Sequence, residues 1–279
     1  MAQDFTQEER LDLLIRDFKG ETAEYRSMPV PDDTVGKQHI LRSLMNVRMP
    51  RRTAERTLQI QDEYLTERAS EKGIVKLEDI PTLADANGCK TPFANKLCLW
   101  QGDITRLASD AIVNAANSQM LGCFIPMHSC IDNCIHTYAG VQLRAECKQK
   151  MDELRAIYGD DYEHPTSIPM LTDAYNLPAG KIVHIVGPIV EGALTEEHER
   201  QLADCYRNTL QLCADNALRS VAFCCISTGV FRFPAERAAE IAIQTVQEWL
   251  SEHPDAMDRV IFNVFSDRSR ICYEQQLQK

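Results

Sequence analysis

A group of metal-binding residue types lies near the middle of the chain. Cys123, His128 and Cys130 fall within eight positions, in a segment where Gly122 and Pro126 indicate a loop. Two thiolates and one imidazole are ligands that zinc prefers. A structural zinc site normally uses four protein ligands, whereas three leave a coordination position open for water or substrate. The spacing therefore predicts an open zinc site, which is a site suited to catalysis.

A closed site is the alternative for the same segment. Cys134 follows Cys130 at helical spacing, and His136 is close to both. Four protein ligands drawn from this set would make a structural zinc site. We expect Cys134 to turn into the core with Ile135, which favours the open site. His136 is expected to be a core histidine with its hydrogen bonds satisfied, as is His184 in its own apolar segment.

The composition of the chain narrows the class of protein. Its 279 residues carry a net charge of −11, which argues against a general nucleic-acid binder because such a protein needs a basic surface. No apolar run approaches the ~18–20 residues that span a bilayer, and the polar N-terminus does not resemble a signal peptide. The eleven cysteines are an odd number, so a disulfide framework is not expected. We therefore expect a cytoplasmic protein that binds neither nucleic acid nor membrane.

Residues 1–90 have the pattern of a small N-terminal helical region. Thr6 and Glu9 form a capping-box signature, and apolar residues follow at helical spacing. Further helices are expected over 38–47 and 53–70. The region holds no dense cluster of reactive side chains, so we interpret it as a helical extension packed on the main domain.

From residue 91 to residue 279 the pattern changes to short apolar strands that alternate with amphipathic helices. Several strands are continuous apolar runs, which are typical of strands buried on both faces of a sheet. We therefore predict an α/β fold of three layers, α/β/α, with a mixed central sheet. Ligands in such folds bind at loops beyond the carboxyl ends of strands. The expected strands are 96–100, 110–114, 182–187, 220–226 and 259–265, and the expected helices are 131–157, 195–217 and 235–251.

Four separated motifs adjoin these strands. The segment 227–234 places a glycine-containing loop between a strand and a helix, where backbone N–H groups and the helix dipole favour a phosphate. Asn117, at the end of a strand, can hydrogen-bond sugar hydroxyls with its amide. Each motif taken alone also fits a plain turn. The four are Gly102-Asp103-Ile104-Thr105, Val113-Asn114-Ala115-Ala116-Asn117, Tyr175-Asn176-Leu177-Pro178-Ala179 with the strand that follows it, and Ser227-Thr228-Gly229-Val230-Phe231.

In this order, the motifs resemble those of the macro domain, a fold that binds ADP-ribose. The resemblance covers residues 97–275. One element departs from the common pattern, because residues 122–130, with their two cysteines and one histidine, replace the usual glycine-rich loop. That replacement is typical of bacterial zinc-dependent macro domains, which also carry an N-terminal helical extension. The resemblance therefore extends to nearly the whole chain and implies a zinc cofactor.

The resemblance also implies a role for each matching residue. Asp132 matches a catalytic aspartate, although Asn133 replaces the usual glycine after it; the alternative for Asp132 is a helix N-terminal charge that favours the dipole. The resemblance implies Asp132 and Asn117 as the catalytic residues, and Cys123, His128 and Cys130 as the metal ligands. It implies that the adenine is contacted by Asp103, Ile104 and Phe265. The implied contacts to the diphosphate and the distal ribose are Asn117, Cys130, Ile131, Asp132, Ser227, Thr228, Gly229, Val230, Phe231 and Arg232.

The function implied by the resemblance is removal of ADP-ribose from proteins. ADP-ribose joined to an aspartate or glutamate is an acylal-like ester, and zinc can polarise its oxygen and activate water. The tandem glutamates of poly-ADP-ribose glycohydrolases do not occur here, so a mono-ADP-ribosylated protein is the expected substrate. Related enzymes are encoded beside sirtuin-like transferases that modify lipoyl-carrier proteins, which implies such a carrier as a partner. The alternatives are a module that binds ADP-ribose without cleaving it and a hydrolase of O-acetyl-ADP-ribose.

Overall fold

The computed structural model of the protein describes residues 5–87 and 89–277. Its N-terminal part is a bundle of three helices, α1 (Gln7–Gly20), α2 (Thr34–Val47) and α3 (Glu55–Lys72). The predicted capping box is present, because the Thr6 side chain accepts from the backbone N–H of Glu9 and the Glu9 carboxylate accepts from that of Thr6. The apolar faces of the three helices form a hydrophobic core of their own. The domain boundary near residue 90 stays a prediction.

The main part of the described chain is built on a six-stranded mixed sheet. The strand order is β2-β8-β7-β4-β6-β5, and all neighbours are parallel except β5, which is antiparallel to β6. A separate two-stranded parallel pair is formed by β1 and β3. The strands are β1 (Val75–Lys76), β2 (Leu97–Gln101), β3 (Leu107–Ala108), β4 (Ala111–Ala116), β5 (Pro169–Asp173), β6 (Lys181–Val186), β7 (Ser220–Phe223) and β8 (Arg259–Val264).

Helices cover both faces of this sheet. Ile112 and Val113 point to opposite faces of β4, and both are fully buried. The predicted three-layer α/β/α arrangement with a mixed sheet is therefore confirmed. The helices of this part are α4 (Leu83–Asn87), α5 (Ile131–Ala139), α6 (Val141–Tyr158), α7 (Glu196–Asp215), α8 (Ala235–Glu252) and α9 (Asp267–Leu277).

The expected helix over 131–157 is wrong as a single element. It breaks at Gly140, whose φ of 101° lies in the left-handed region that favours glycine. A Cβ there would lie 2.6 Å from Gln61 Nε2, and the Val141 N–H donates to Gln61 Oε1 at 3.0 Å. The close approach of α3 therefore separates α5 from α6. The expected strand over 220–226 is also too long, because β7 ends at Phe223.

The parallel strands bring the sequence motifs to one edge. β2 runs into Asp103, β4 into Asn117, β7 into the loop 224–234 and β8 into Phe265. The carboxyl ends of parallel strands form the ligand-binding edge of such a sheet. Two hydrogen bonds join neighbouring loops there, from Asn263 Nδ2 to the Gly102 carbonyl at 3.0 Å and from the Val190 N–H to the Phe231 carbonyl at 2.9 Å. Among the described residues, no helix is long and apolar enough to span a membrane.

Candidate functional site

The three predicted metal ligands converge in the loop between β4 and α5. The ligand atoms of Cys123, His128 and Cys130 all lie within 4.8 Å of one another. Cys123 Sγ is 3.5 Å from His128 Nδ1. All three side chains are half-buried, so solvent reaches them. Two sulfurs and one imidazole nitrogen at such spacing fit a zinc ion with one position left for a further ligand.

The electrostatics of Cys130 also fit a cation. Cys130 is the N-cap of α5, and its sulfur accepts from the Asn133 backbone N–H at 3.4 Å. A helix N-terminus favours a thiolate. Burial nevertheless raises the pKa of the Cys130 thiol to about 12, while the Asn133 hydrogen bond lowers it and the neighbouring Cys123 raises it further. A bound metal would supply the positive charge that the thiolate needs, because coordinated thiols are deprotonated.

Cys134 does not join this group. Its side chain is half-buried, and its sulfur lies 3.6 Å from Arg42 Nη2 of helix α2. The expectation that Cys134 turns into the core with Ile135 is therefore wrong, since Ile135 is fully buried but Cys134 is not. Within the described chain, the cluster of ligand atoms that contains Cys123 has three members.

Asp132 lies in the first turn of α5, two residues after Cys130. Its carboxylate is buried, and Oδ1 accepts from Asn114 Nδ2 at 2.8 Å. Asn117 Nδ2 lies 3.5 Å from Oδ2 and 3.4 Å from the carbonyl of Gly122, in the loop that holds the three predicted ligands. Burial raises the pKa of the Asp132 carboxyl to about 6, although the bond from Asn114 opposes that rise. The predicted catalytic pair therefore adjoins the predicted metal ligands.

A buried chain of hydrogen bonds extends behind Asp132. Asn114 Nδ2 also lies 3.0 Å from His184 Nδ1, and His184 Nε2 lies 3.0 Å from Thr172 Oγ1. His184 is thus a core histidine with both ring nitrogens paired, as expected. His136 is buried too, but both of its ring nitrogens lack a hydrogen-bond partner among the described residues, which contradicts the expectation for it. Asn114 was present in a recognised motif, but that motif did not reveal its contact with Asp132.

The loop after β7 presents free backbone donors. Ser227 and Arg232 have φ of 63° and 59°, which turns the chain sharply at both ends of the loop. Among the described residues, the N–H groups of Gly229, Val230 and Phe231 donate no hydrogen bond. The buried Ser227 hydroxyl also lacks a partner there. Free N–H groups before the N-terminus of α8 can donate hydrogen bonds to an anion.

The opposite end of the edge is formed by the loop after β2. Asp103 Oδ1 accepts from the Thr105 N–H at 3.0 Å, and Oδ2 accepts from Lys72 Nζ at 2.8 Å. Burial alone would raise the pKa of Asp103, but the bonds from Lys72 and Thr105 outweigh it and lower the pKa. Ile104 is buried. Phe265 is 79% exposed at the end of β8, where a flat ring system can stack on it.

Lys72 was not predicted from the sequence. It ends α3, far along the chain from Asp103, and its ammonium also lies 3.7 Å from the centre of the Tyr138 ring. No local signal in the sequence joins the end of an N-terminal helix to a strand loop. The N-terminal region therefore contributes side chains to this edge of the sheet.

Comparisons with known proteins all indicate the same protein family. The model of the Macro domain family matches residues 113–242. A protein-ADP-ribose hydrolase from Treponema medium is 46% identical over 271 residues, which is 97% of this chain and 98% of the relative. A protein-ADP-ribose hydrolase from Staphylococcus aureus strain Mu50 is 37% identical over 271 residues, or 97% of this chain and 96% of the relative.

Solved structures show the same fold. The macrodomain of Trypanosoma brucei in complex with ADP-ribose superposes with a TM-score of 0.61 at 30% identity, covering 84% of this chain and 94% of that one. The Oceanobacillus iheyensis macrodomain with ADP gives a TM-score of 0.57 at 35% identity, covering 66% of this chain and 91% of that one.

Proposed function

The chain belongs to the macro domain family and, within it, to the protein-ADP-ribose hydrolases, and from this premise we propose that it is a zinc-dependent enzyme that removes mono-ADP-ribose from aspartate and glutamate side chains. The observation that carries the proposal is the convergence of Cys123, His128 and Cys130, the last of them two residues before Asp132. The donor set fits zinc, and the carboxylate that follows it fits a catalytic acid or base.

The proposed substrate site runs along the carboxyl edge of the sheet. Asp103 would accept from the adenine amino group, and Phe265 would pack on the adenine ring. The diphosphate oxygens would accept hydrogen bonds from the free N–H groups of the loop after β7, near the N-terminus of α8. Phe231 and Asn117 would contact the distal ribose, with Asn117 donating to its hydroxyls. In this pose the anomeric carbon would lie toward the ligand loop.

The chain's own residues would divide the chemistry between them. A zinc ion held by Cys123, His128 and Cys130 would supply Lewis-acid polarisation of an oxygen and activation of a water. Asn114 orients the Asp132 carboxylate through its bond to Oδ1. Asp132 in turn would orient the attacking water and take its proton. One water is consumed, and the products are the free side-chain carboxylate of the protein and ADP-ribose.

A release assay tests this proposal. The purified full-length chain is incubated with a protein that carries ADP-ribose on glutamate, and the ADP-ribose set free is measured by chromatography. We expect release with zinc, loss of release after chelation, and recovery when zinc is added back. Binding of ADP-ribose without release at full zinc occupancy would leave only a binding module. Release that survives complete removal of zinc would refute the metal dependence.

Two further arms of the assay address the substrate. A lipoyl-carrier protein modified by a sirtuin-like transferase tests the carrier that the family resemblance suggests. O-acetyl-ADP-ribose, supplied at the same concentration, tests a small-molecule ester. We expect faster turnover of the protein ester, and the opposite ranking would assign the site to the small metabolite.

A further inference from the structure

The ligand loop has no regular secondary structure of its own. Residues 121–130 form bends and turns between β4 and α5, with a turn closed by the His128 N–H on the Ile125 carbonyl at 3.2 Å. Met127 has a φ of 58°, which a non-glycine residue rarely adopts. A loop of this kind holds three ligand atoms together only if neighbouring groups fix its backbone.

Asn133 supplies the first set of these contacts. Its side chain is fully buried in the first turn of α5. Asn133 Nδ2 donates to the Ile125 carbonyl at 2.9 Å and to the Cys123 carbonyl at 3.3 Å. Its backbone N–H donates to Cys130 Sγ. One residue thus contacts two of the three ligand residues and the segment between them.

Arg42 of the N-terminal helix α2 supplies the second set. Its Nη2 donates to Asn133 Oδ1 at 2.9 Å and to the His128 carbonyl at 2.7 Å. The carboxamide of Asn133 therefore has its oxygen and both amino hydrogens in use, and this fixes its orientation. Arg42 and Asn133 together reach all three ligand residues, although neither is a ligand.

A second residue of α2 extends the same contact. Asn46 lies four positions after Arg42, on the same face of the helix. Its Oδ1 accepts from the Met127 N–H at 3.0 Å, and its Nδ2 donates to Thr137 Oγ1 at 2.9 Å. Asn46 is 1% exposed. Directional bonds between buried polar groups specify one arrangement of two elements better than apolar packing does.

We propose that Arg42 and Asn133 are positioning residues for the metal: through them, the N-terminal helical region sets the geometry and the metal affinity of the ligand loop. The proposal rests on the proposed zinc site and adds a role for a region outside the sheet domain. Asn133 stands where the common macro-domain pattern has a glycine, and a glycine has no side chain that could make these contacts. Groups that orient metal ligands typically contribute about 10–100-fold to metal affinity.

Zinc affinity of the full-length protein tests the inference, measured by competition with a chromophoric chelator. We expect Arg42→Ala and Asn133→Ala each to weaken zinc binding about 10–100-fold. The double variant should lose less than the product of the two losses, because both substitutions break one network. The Co²⁺-loaded variants should also show altered visible absorption bands, which report the ligand geometry directly.

A matched control separates positioning from general stability. Arg48, the C-cap of the same helix, binds Glu21 with two hydrogen bonds, and among the described residues its side chain makes no hydrogen bond or ion pair with the ligand loop. Arg48→Ala should lower the melting temperature and leave zinc affinity and the Co²⁺ spectrum unchanged. Arg42→Lys keeps the charge but loses the planar fork, so it provides a second folded variant in which weaker zinc binding is expected.

The outcomes are distinct. Wild-type zinc affinity and a wild-type Co²⁺ spectrum in the Arg42 and Asn133 variants, with only a lower melting temperature, would overturn the positioning role and leave the proposed function standing. A wild-type protein that binds no zinc would overturn the metal site itself, and the positioning role with it.

Discussion

Two groups of cysteine and histidine side chains lie close together in this fold, and they have the same ligand types. One is Cys123, His128 and Cys130 in the loop before α5; the other is the buried set of His136, Cys147 and His184. In both groups the potential ligand atoms lie within 4.8 Å of one another. The first is half-buried in an irregular loop, whereas the second is enclosed between α5, α6 and β6.

Within the buried group, His184 is already committed to hydrogen bonding with both of its ring nitrogens. Asn114 Nδ2 donates to Asp132 Oδ1, and this bond fixes the orientation of the Asn114 amide. The same NH₂ group therefore faces His184 Nδ1. His184 Nδ1 is therefore the acceptor, and the ring proton is on Nε2, facing Thr172 Oγ1. A protonated ring nitrogen has no lone pair for a metal. Burial also raises the pKa of the Cys147 thiol, which keeps it neutral.

The comparison shows that residue types and spacing do not by themselves make a metal site. The loop group is half-buried and in contact with solvent, so an ion from solution can reach it. In the buried group, His184 of the sheet is linked to Asp132 through Asn114, and His136 packs against the loop at Gly122. A Cβ on Gly122 would lie 2.7 Å from the His136 ring, and Gly122 also has a φ of 80°. The core and the ligand loop are therefore in direct contact.

The largest effect is expected from Cys123→Ala. Loss of one ligand should abolish stoichiometric zinc and reduce ester hydrolysis by about 10³-fold or more, since the metal is expected to contribute several kcal/mol to the transition state. Metal analysis and the release assay measure the two effects on one sample. Retention of stoichiometric zinc would remove Cys123 from the ligand set.

A smaller loss of activity is expected from Asn114→Ala. The substitution leaves the Asp132 carboxylate and His184 Nδ1 without their shared donor, so Asp132 loses its fixed orientation. We expect kcat to fall about 10–100-fold, in the range for a misplaced acid or base, while the zinc content is unchanged. Steady-state kinetics of release check this, with KM reported separately. Unchanged kcat would show that Asp132 needs no orientation from Asn114.

The fold and the cluster of Cys123, His128 and Cys130 were predictable because their signals are local. Continuous apolar runs identified the parallel strands, and Cys123, His128 and Cys130 lie close in sequence. Strand β5 was missed because it begins with Pro169 and lies at the sheet edge, where only two of its five residues are buried and the apolar pattern is weak. Helix α9 was also missed, since it follows the last expected strand and carries few buried apolar residues.

The parts of the site that escaped prediction depend on distant contacts. Arg42 lies 86 positions from His128 and 91 from Asn133, and Lys72 lies 31 from Asp103. Neither cation stands in a motif. Asn114 stands in one, but only the register of β4 beside β6 shows that it faces His184. Side chains that position ligands are chosen by tertiary packing, which single-sequence patterns do not encode.

The acid dependence of stability tests the buried group next. Burial lowers the pKa of His184 to about 3, with smaller contributions from His164 and Lys150. An unfolded histidine has a pKa of about 6.5, so the unfolded chain binds the proton more readily. The stability that His184 contributes is complete above that value and is lost as the pH falls toward 3.

Between pH 7 and pH 5 we expect the shifted pKa of His184 to lower the free energy of unfolding by roughly 2 kcal/mol. Urea denaturation at the two pH values measures the loss, and His184→Gln should reduce it. His39→Gln is the control, because that side chain is exposed. An equal loss in wild type and His184→Gln would show that another group determines the acid sensitivity.

The smallest effect, and the sharpest test of the comparison, is expected from Cys147→Ala. The Cys147 sulfur is fully buried and lies 3.8 Å from His184 Nε2. Its removal leaves a small cavity, which should cost roughly 1–2 kcal/mol of unfolding free energy, while zinc content and the Co²⁺ spectrum stay as in wild type. Cys213→Ala, a fully buried thiol on α7, should lose similar stability. If Cys147→Ala alone lost zinc, the buried group would hold the metal. The loop cysteines would then need another role, because two thiols and an imidazole within 4.8 Å of one another would remain near Asp132 without a cation.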